Sequence, residues 1–327
     1  MKLGIIGAGK IVKEFLPSLT KIEGLEITGI MSTPKSLDKV KALAAEYGIP
    51  HGVATFEELC ATGMDTVYVA VPNHLHFEYG KKSLERGLHV ILEKPITANI
   101  REAEELAALA REKKLFLFEA ITTPHLGNYQ KIREWLPRIG PIKLVQSQFT
   151  QYSPRYDDFR ERKTVPAFDP AQAGGVLMDL GLYTLHFIMD LFGMPQQAVY
   201  FPNMELGSDT SGVIHLNYGS FQGICVAAKD GQGITGGMIQ GTEGYIQSLD
   251  LPNSVGKVVL TLRDGTREEY DDGMCETRAI PEFTAFTEAI RDKDYEFGEK
   301  CLEESLNVCR VMTRVRLAAG IRFPGES

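Results

Sequence analysis

Over residues 1–120 the chain alternates short apolar runs with amphipathic stretches. Leu3–Ile6, Leu25–Met31, Thr66–Val71, Val90–Leu92 and Leu115–Phe118 are short, apolar and often β-branched. Such runs fit strands buried on both faces of a parallel sheet. Helical patterns lie between them. Lys35–Tyr47 spaces its apolar residues for one helix face and ends at Gly48, a residue suited to closing a helix. Thr55-Phe56-Glu57-Glu58 has the spacing of a capping box. Ile100–Glu112 is rich in Ala, Leu and Glu. Strand and helix alternate in a way that predicts a doubly wound α/β domain.

The pattern changes near residue 122. Pro124, Pro137 and Pro141 interrupt it, Ile142–Tyr152 alternates like a strand, and Ser153–Pro170 follows neither period. Gly174–Phe192 reads as one buried helix. From Ala198 to Tyr270 short strands recur with turn signals such as Tyr218-Gly219-Ser220 and Arg263-Asp264-Gly265. Helices are expected at about Pro281–Arg291 and Glu299–Ala319. These features predict two domains, 1–121 and 122–327. The second is α+β, with a large, mainly antiparallel open sheet and helices on one face. Its other face needs a cover, for which a second copy of the chain is the natural candidate.

The 327 residues and 43% hydrophobic content are enough for two cores. A net charge of −8 argues against nucleic acid or an anionic membrane as partner. The start, Met1-Lys2-Leu3-Gly4-Ile5-Ile6-Gly7, runs straight into a strand rather than a leader, and no apolar run is expected to reach the ~20 residues of a membrane span. Cys60, Cys225, Cys275, Cys301 and Cys309 are scattered and odd in number, which suits free thiols in the cytoplasm better than disulfides or a metal.

The first chemical signal is Gly4-Ile5-Ile6-Gly7-Ala8-Gly9-Lys10-Ile11-Val12, a strand-to-helix turn. Gly7 permits the turn, and Gly9 lets a pyrophosphate approach the backbone of Lys10 and Ile11 at the helix start. The next strand ends Met31-Ser32-Thr33-Pro34-Lys35. An NAD site wants a carboxylate there for the ribose diol. Ser32, Thr33 and Lys35 instead suit a 2′-phosphate, so NADP is favoured over NAD. The alternative is that Thr33 only caps a helix with Pro34 at its first position.

Three further polar clusters follow strand ends: Ala70-Val71-Pro72-Asn73-His74-Leu75-His76, Glu93-Lys94-Pro95 and Glu119-Ala120. Ligands of open parallel sheets bind beyond such ends. Within Gly174–His186, Asp179, Tyr183 at i+4 and His186 at i+7 fall on one helix face.

Taken together, the GxG start, Pro72-Asn73-x-x-His76, Glu93-Lys94-Pro95, Glu119-Ala120 and Gly174-Gly175-x-Leu177-x-Asp179-x-Gly181-x-Tyr183 resemble the Gfo/Idh/MocA oxidoreductases over nearly the whole chain. The resemblance implies a Rossmann domain followed by an α/β domain whose open sheet often forms a homodimer or homotetramer. Cofactor contacts are expected from Gly7, Gly9, Lys10, Ile11, Ser32, Thr33, Lys35, Ala70, Pro72, Asn73, His76, Glu93, Lys94 and Glu119. The resemblance places Lys94 near the nicotinamide ribose and the substrate. The inositol dehydrogenase branch carries His at the fourth position after the Asp. Here Tyr183 stands there, as in glucose–fructose oxidoreductase, dimeric dihydrodiol dehydrogenase and related xylose dehydrogenases. Where close relatives of the dihydrodiol branch often show Trp-Thr-Arg-Phe, this chain reads Ile121-Thr122-Thr123-Pro124-His125.

The chemistry is coherent. A free tyrosine, with a pKa of about 10, is a poor base at neutral pH. A nearby lysine cation favours the phenolate. Lys94 thus activates Tyr183 as acid/base, and Asp179 orients Lys94 or a substrate hydroxyl. His125, Tyr152 and His186 are further candidates for substrate contact; His186 fits equally a core histidine, and Tyr152 a solvated loop. The expected activity is hydride transfer between NADP or NAD and a sugar, polyol or cyclic diol. A redox-assisted glycosidase and a dinucleotide-sensing regulator are the alternatives. No metal-ligand constellation is expected.

Overall fold

The computed structural model describes residues 1–326. Its first unit is a six-stranded parallel sheet of β1 (Lys2–Ile6), β2 (Glu26–Met31), β3 (His51–Val53), β4 (Thr66–Val69), β5 (His89–Glu93) and β6 (Leu117–Ala120). The strand order is β3-β2-β1-β4-β5-β6, so the winding reverses between β1 and β4. Helices α1 (Lys10–Leu19), α2 (Leu37–Glu46), α3 (Phe56–Cys60), α4 (His76–Glu85) and α5 (Ile100–Lys113) connect the strands. The capping box forms at α3: Glu58 N–H donates to Thr55 Oγ1 while Thr55 N–H donates to Glu58 Oε2. Gly48, at φ +66, follows the end of α2. Strand β3 has three residues, none of them buried, so it leaves no periodic signal in the sequence.

The second unit carries α6 (Gly127–Trp135), β7 (Ile142–Thr150), the short α7 (Tyr156–Arg160) and α8 (Leu182–Phe192). Strands β8 (Gln197–Glu205), β9 (Ser208–Asn217), β10 (Gln222–Ala228), β11 (Gly236–Gly241), β12 (Gly244–Ser248), β13 (Val258–Leu262) and β14 (Arg267–Tyr270) follow. The eight-stranded sheet runs β14-β13-β12-β11-β7-β10-β9-β8. Every neighbouring pair is antiparallel except β7 with β10. Helix α8 packs against β7 and β10. On that side β7 presents Val145, Ser147 and Phe149, and β10 presents Gly223, Cys225 and Ala227, all buried. The opposite face carries a row in register, Phe201–Val213–Val226–Gln148, with Phe201 64% exposed.

Two terminal helices complete the chain, α9 (Ala279–Asp292) and α10 (Tyr295–Ala318). The sequence pattern places both in the second domain. The structure assigns Ala279–Leu306 to the first unit and keeps only the chain from Asn307 on with Ile121–Arg278. The reason is aromatic packing. Phe283 and Phe286 of α9 are fully buried in the core of the parallel sheet, Phe286 stacked 4.3 Å from Phe118 and Phe283 edge-on 5.2 Å from Tyr68.

A second expectation also changes. The helical stretch Pro170–Phe192 is long and apolar enough to cross a membrane, but 83% of its most apolar window is buried inside the protein. It is a core element, whose apolar length serves packing against its own sheet.

Candidate active site

One group of candidate residues lies at the strand ends of the parallel sheet. After β1 the chain turns at Gly7, with φ +115. A Cβ there would stand 2.1 Å from the Ala70 carbonyl oxygen, so only glycine lets the ends of β1 and β4 approach this closely. Gly7 N–H donates to the Met31 carbonyl at 2.8 Å and Ala70 N–H to the Ile6 carbonyl at 2.8 Å, which locks the turn. Gly9 caps α1 without a side-chain bond, and no acidic residue occupies the first turn. The space where a Gly9 Cβ would lie is open to 4 Å. Gly9 and Lys10 are exposed, and Ile11 is half-buried. These features fit a pyrophosphate laid on the start of a ten-residue helix. Val12, on the first turn of α1, is fully buried in the core.

The end of β2 offers Ser32, half-buried, and Thr33 and Lys35, both exposed. Thr33 does not make the capping bond of the simpler reading; its hydroxyl reaches only Ser36 Oγ, at 3.5 Å. Lys35 forms no ion pair among the described residues. Hydroxyls and a cation therefore face outward where a carboxylate would serve NAD, an arrangement that suits a 2′-phosphate.

The loops after β4 and β5 are tied to one another and to strand β6. His76 is fully buried, with Nδ1 2.8 Å from the Pro95 carbonyl and Nε2 2.9 Å from the Val71 carbonyl. Burial pushes its imidazole below the usual histidine range, against the pull of the two carbonyls. Its expected cofactor contact is therefore corrected: both ring nitrogens are spent on backbone, and His76 staples two loops together. Glu119 is also buried, and its Oε1 accepts the Ile96 N–H at 2.7 Å. Glu93 accepts from Tyr68 Oη and from the Lys94 N–H. Both carboxylates hold loop backbone. Pro72 is exposed and Asn73 half-buried. Across Val90–Asn99 every residue is buried except Lys94.

Within the second unit, another group lies on the helical stretch against the eight-stranded sheet. Gly175, at φ +125, begins it; a Cβ there would stand 2.0 Å from Asp209 Oδ1. Asp209 is buried, accepts from the Leu177 N–H at 2.9 Å and the Tyr200 hydroxyl at 2.7 Å, and is pushed above the usual carboxylate range by burial. The sequence reading missed both Asp209 and Tyr200. Leu177–Gly181 is a π-helical turn, and α8 continues from it. Single π turns recur at functional sites because they re-aim side chains. The ideal-helix spacing expected from Asp179 to His186 therefore does not hold through this turn.

Across Ala173–Asp190 every residue is buried except Asp179. Its Oδ2 accepts from Lys229 Nζ at 2.8 Å. Tyr183 is 8% exposed and packs in a cluster with Ile121, Phe149, Val176, Leu180 and Ala227. Its ring centroid lies 5.8 Å from that of Phe149. His186 is 1% exposed, which favours the core histidine over a substrate contact. His125 is half-buried, and desolvation pushes its imidazole down to about 4 against the pull of Asp190, so it is neutral at physiological pH. Tyr152 is exposed and donates to Asp157 at 2.6 Å. Among the described residues no cluster of three His, Cys, Asp or Glu could hold a metal.

The first unit carries a strand-end glycine cradle on a parallel sheet, the arrangement of a dinucleotide-binding domain. Family comparison agrees. The family model for oxidoreductases with an NAD-binding Rossmann fold matches residues 1–121, and the GFO/IDH/MocA C-terminal domain matches residues 129–247. The chain belongs to the Gfo/Idh/MocA family and is an NAD(P)-dependent dehydrogenase or reductase. It is 30% identical to scyllo-inositol 2-dehydrogenase (NADP(+)) IolU of Bacillus subtilis, over 100% of this chain and 99% of that protein. It is 27% identical to trans-1,2-dihydrobenzene-1,2-diol dehydrogenase of Sus scrofa, over 100% and 99%. Its fold matches that of KijD10, a 3-ketoreductase from Actinomadura kijaniata solved with NADP and TDP-benzene, with a TM-score of 0.82, 24% identity and 97% of each chain covered.

Proposed function

We propose that this protein is an NADP-preferring dehydrogenase or reductase for a secondary alcohol or hemiacetal of a polyol, sugar or cyclic diol, with Tyr183 and Lys94 as its acid/base pair. One observation carries the reading: in each of two otherwise buried runs a single charged side chain is left accessible, Lys94 at the end of β5 and Asp179 on the π turn that leads to Tyr183. The relatives named for scyllo-inositol and a dihydrodiol, substrates with adjacent hydroxyls, support the substrate class.

Gly7, Gly9, Lys10 and Ile11 hold the pyrophosphate, and Ser32, Thr33 and Lys35 take the 2′-phosphate. When bound, the nicotinamide supplies the hydride acceptor or donor. The alcohol loses a hydride and its hydroxyl proton to become a carbonyl; Tyr183 Oη takes that proton and returns it in reduction. The Lys94 ammonium favours the phenolate. Asp179 accepts a hydrogen bond from a neighbouring substrate hydroxyl and fixes the reacting carbon.

The test is nicotinamide absorbance during incubation with separate pools of aldoses, polyols including scyllo-inositol, and trans-dihydrodiols, each with NAD⁺ and NADP⁺. Turnover in one pool supports the reading. Silence in all pools, with dinucleotide still bound, favours a transient-oxidation glycosidase or a sensor. Lys35→Ala is expected to weaken NADPH by about fivefold and leave NADH unchanged. Equal effects on both would return Lys35 to the solvated surface.

We also propose that the open face of the eight-stranded sheet joins two copies of the chain. Val199, Phe201 and Val213 are exposed on it, and an apolar row of this kind calls for a partner. Phe201→Glu is expected to shift sedimentation toward the monomer; an unchanged oligomer would place the interface elsewhere.

A further inference from the structure

We infer that Lys229 is a positioning residue for Asp179, tying that carboxylate to the segment running from Gln151 to Gly174. The inference rests on the functional reading above, in which Asp179 meets the substrate.

Lys229 directly follows β10. The alternation that buries Gly223, Cys225 and Ala227 continues to it, so its side chain enters the covered side of the sheet. It is 3% exposed. A lysine is taken from water only where partners compensate its ammonium. Lys229 has three. Its Nζ donates to Asp179 Oδ2 at 2.8 Å and to the Ala167 carbonyl at 2.8 Å, and it lies 4.1 Å from the ring centroid of Phe168. Its backbone grips the same segment from the other end. The Lys229 carbonyl accepts the Ser153 N–H at 2.9 Å, and the neighbouring Ala228 carbonyl accepts the Gln151 N–H at 3.0 Å.

One residue thus contacts this segment at both Ser153 and Ala167. That segment has only a small core, Tyr156, Phe159, Val165 and Phe168. The Asp179 carboxylate is 32% exposed where Lys229 is closed off, so a substrate reaches the acid and not the lysine. Lys229 therefore acts through Asp179. It holds one oxygen of that group and leaves the carboxylate aimed by the seating of Ala167 and Phe168.

The test compares Lys229→Met, which keeps the stem and removes the charge, with Asp179→Asn and the double variant. The first readout needs no substrate: carbon-13 titration of the Asp179 carboxyl, assigned by its loss in Asp179→Asn. The midpoint is expected to rise by about one pH unit in Lys229→Met. An unchanged midpoint overturns the coupling. The second readout is kinetic. Loss of alignment is expected to lower kcat/KM by up to about 100-fold, with dinucleotide affinity kept. The double variant should be no worse than Asp179→Asn alone. Additive losses would make Lys229 merely structural and overturn the proposal. If Lys229→Met does not fold, Lys229→Gln, which keeps a donor for Ala167 but no charge, carries both readouts. A parent enzyme that turns over no polyol, sugar or diol would sink the functional reading, while the titration still decides on Lys229.

Discussion

Replacing Lys94 with alanine is expected to lower turnover by about 100- to 10,000-fold while dinucleotide affinity stays within about tenfold of the parent. The expectation follows from where the chain puts this side chain. Glu93, Pro95 and Ile96 are buried around it, and their backbone is anchored through His76 and Glu119. These backbone anchors at Pro95 and Ile96 come from other side chains, so the loop is expected to keep its place in the variant. What disappears is the cation that favours a phenolate at neutral pH. The measurement is steady-state turnover beside fluorescence titration with NADPH. Near-parent turnover would remove Lys94 from the chemistry. A parallel collapse of NADPH binding would make it a cofactor clamp instead.

Changing Tyr183 to phenylalanine is expected to cost a similar factor in kcat with the fold preserved. Only a hydroxyl is removed, and the ring keeps its packing against Phe149, Val176 and Leu180, so stability should change by no more than about 1 kcal/mol. The control is His186→Ala. His186 is 1% exposed, so its loss should register in thermal stability before it registers in the chemical step. An active Tyr183→Phe beside a folded but inactive His186→Ala would exchange the two roles.

The proposed site draws on residues that stand out in the sequence where chemistry coincides with a chain-local pattern. Gly7 and Gly9 close a strand, Lys94 ends another, and Asp179 and Tyr183 stand four residues apart. What stayed hidden was non-local. Lys229 lies 50 residues from Asp179, in no motif. The only clue to it was the period of two through Gly223, Cys225 and Ala227, which points the next odd position inward. The π turn was invisible because one extra residue per turn hardly alters a run that is apolar almost throughout. His76 looked like a ligand contact because a strand-end histidine shows its chemistry in the sequence but not its burial. Helix α9 was assigned to the wrong unit because its amphipathic pattern reveals a face to be buried and not which core receives it.

The single parallel pair in the larger sheet sets an order of events at the ribosome. Strand β7 occupies the middle of that sheet, yet it emerges before either neighbour. Its partners β10 and β11 begin only at Gln222 and Gly236. Throughout that interval Leu144, Val145 and Phe149 lie on a strand with both hydrogen-bonding edges unsatisfied, the form most prone to pairing with other chains. One central strand therefore waits for both of its neighbours to be made. A chain cut short before Gly241 lacks a complete neighbour on one side of β7 and is a candidate for aggregation, even with its dinucleotide cradle fully synthesised.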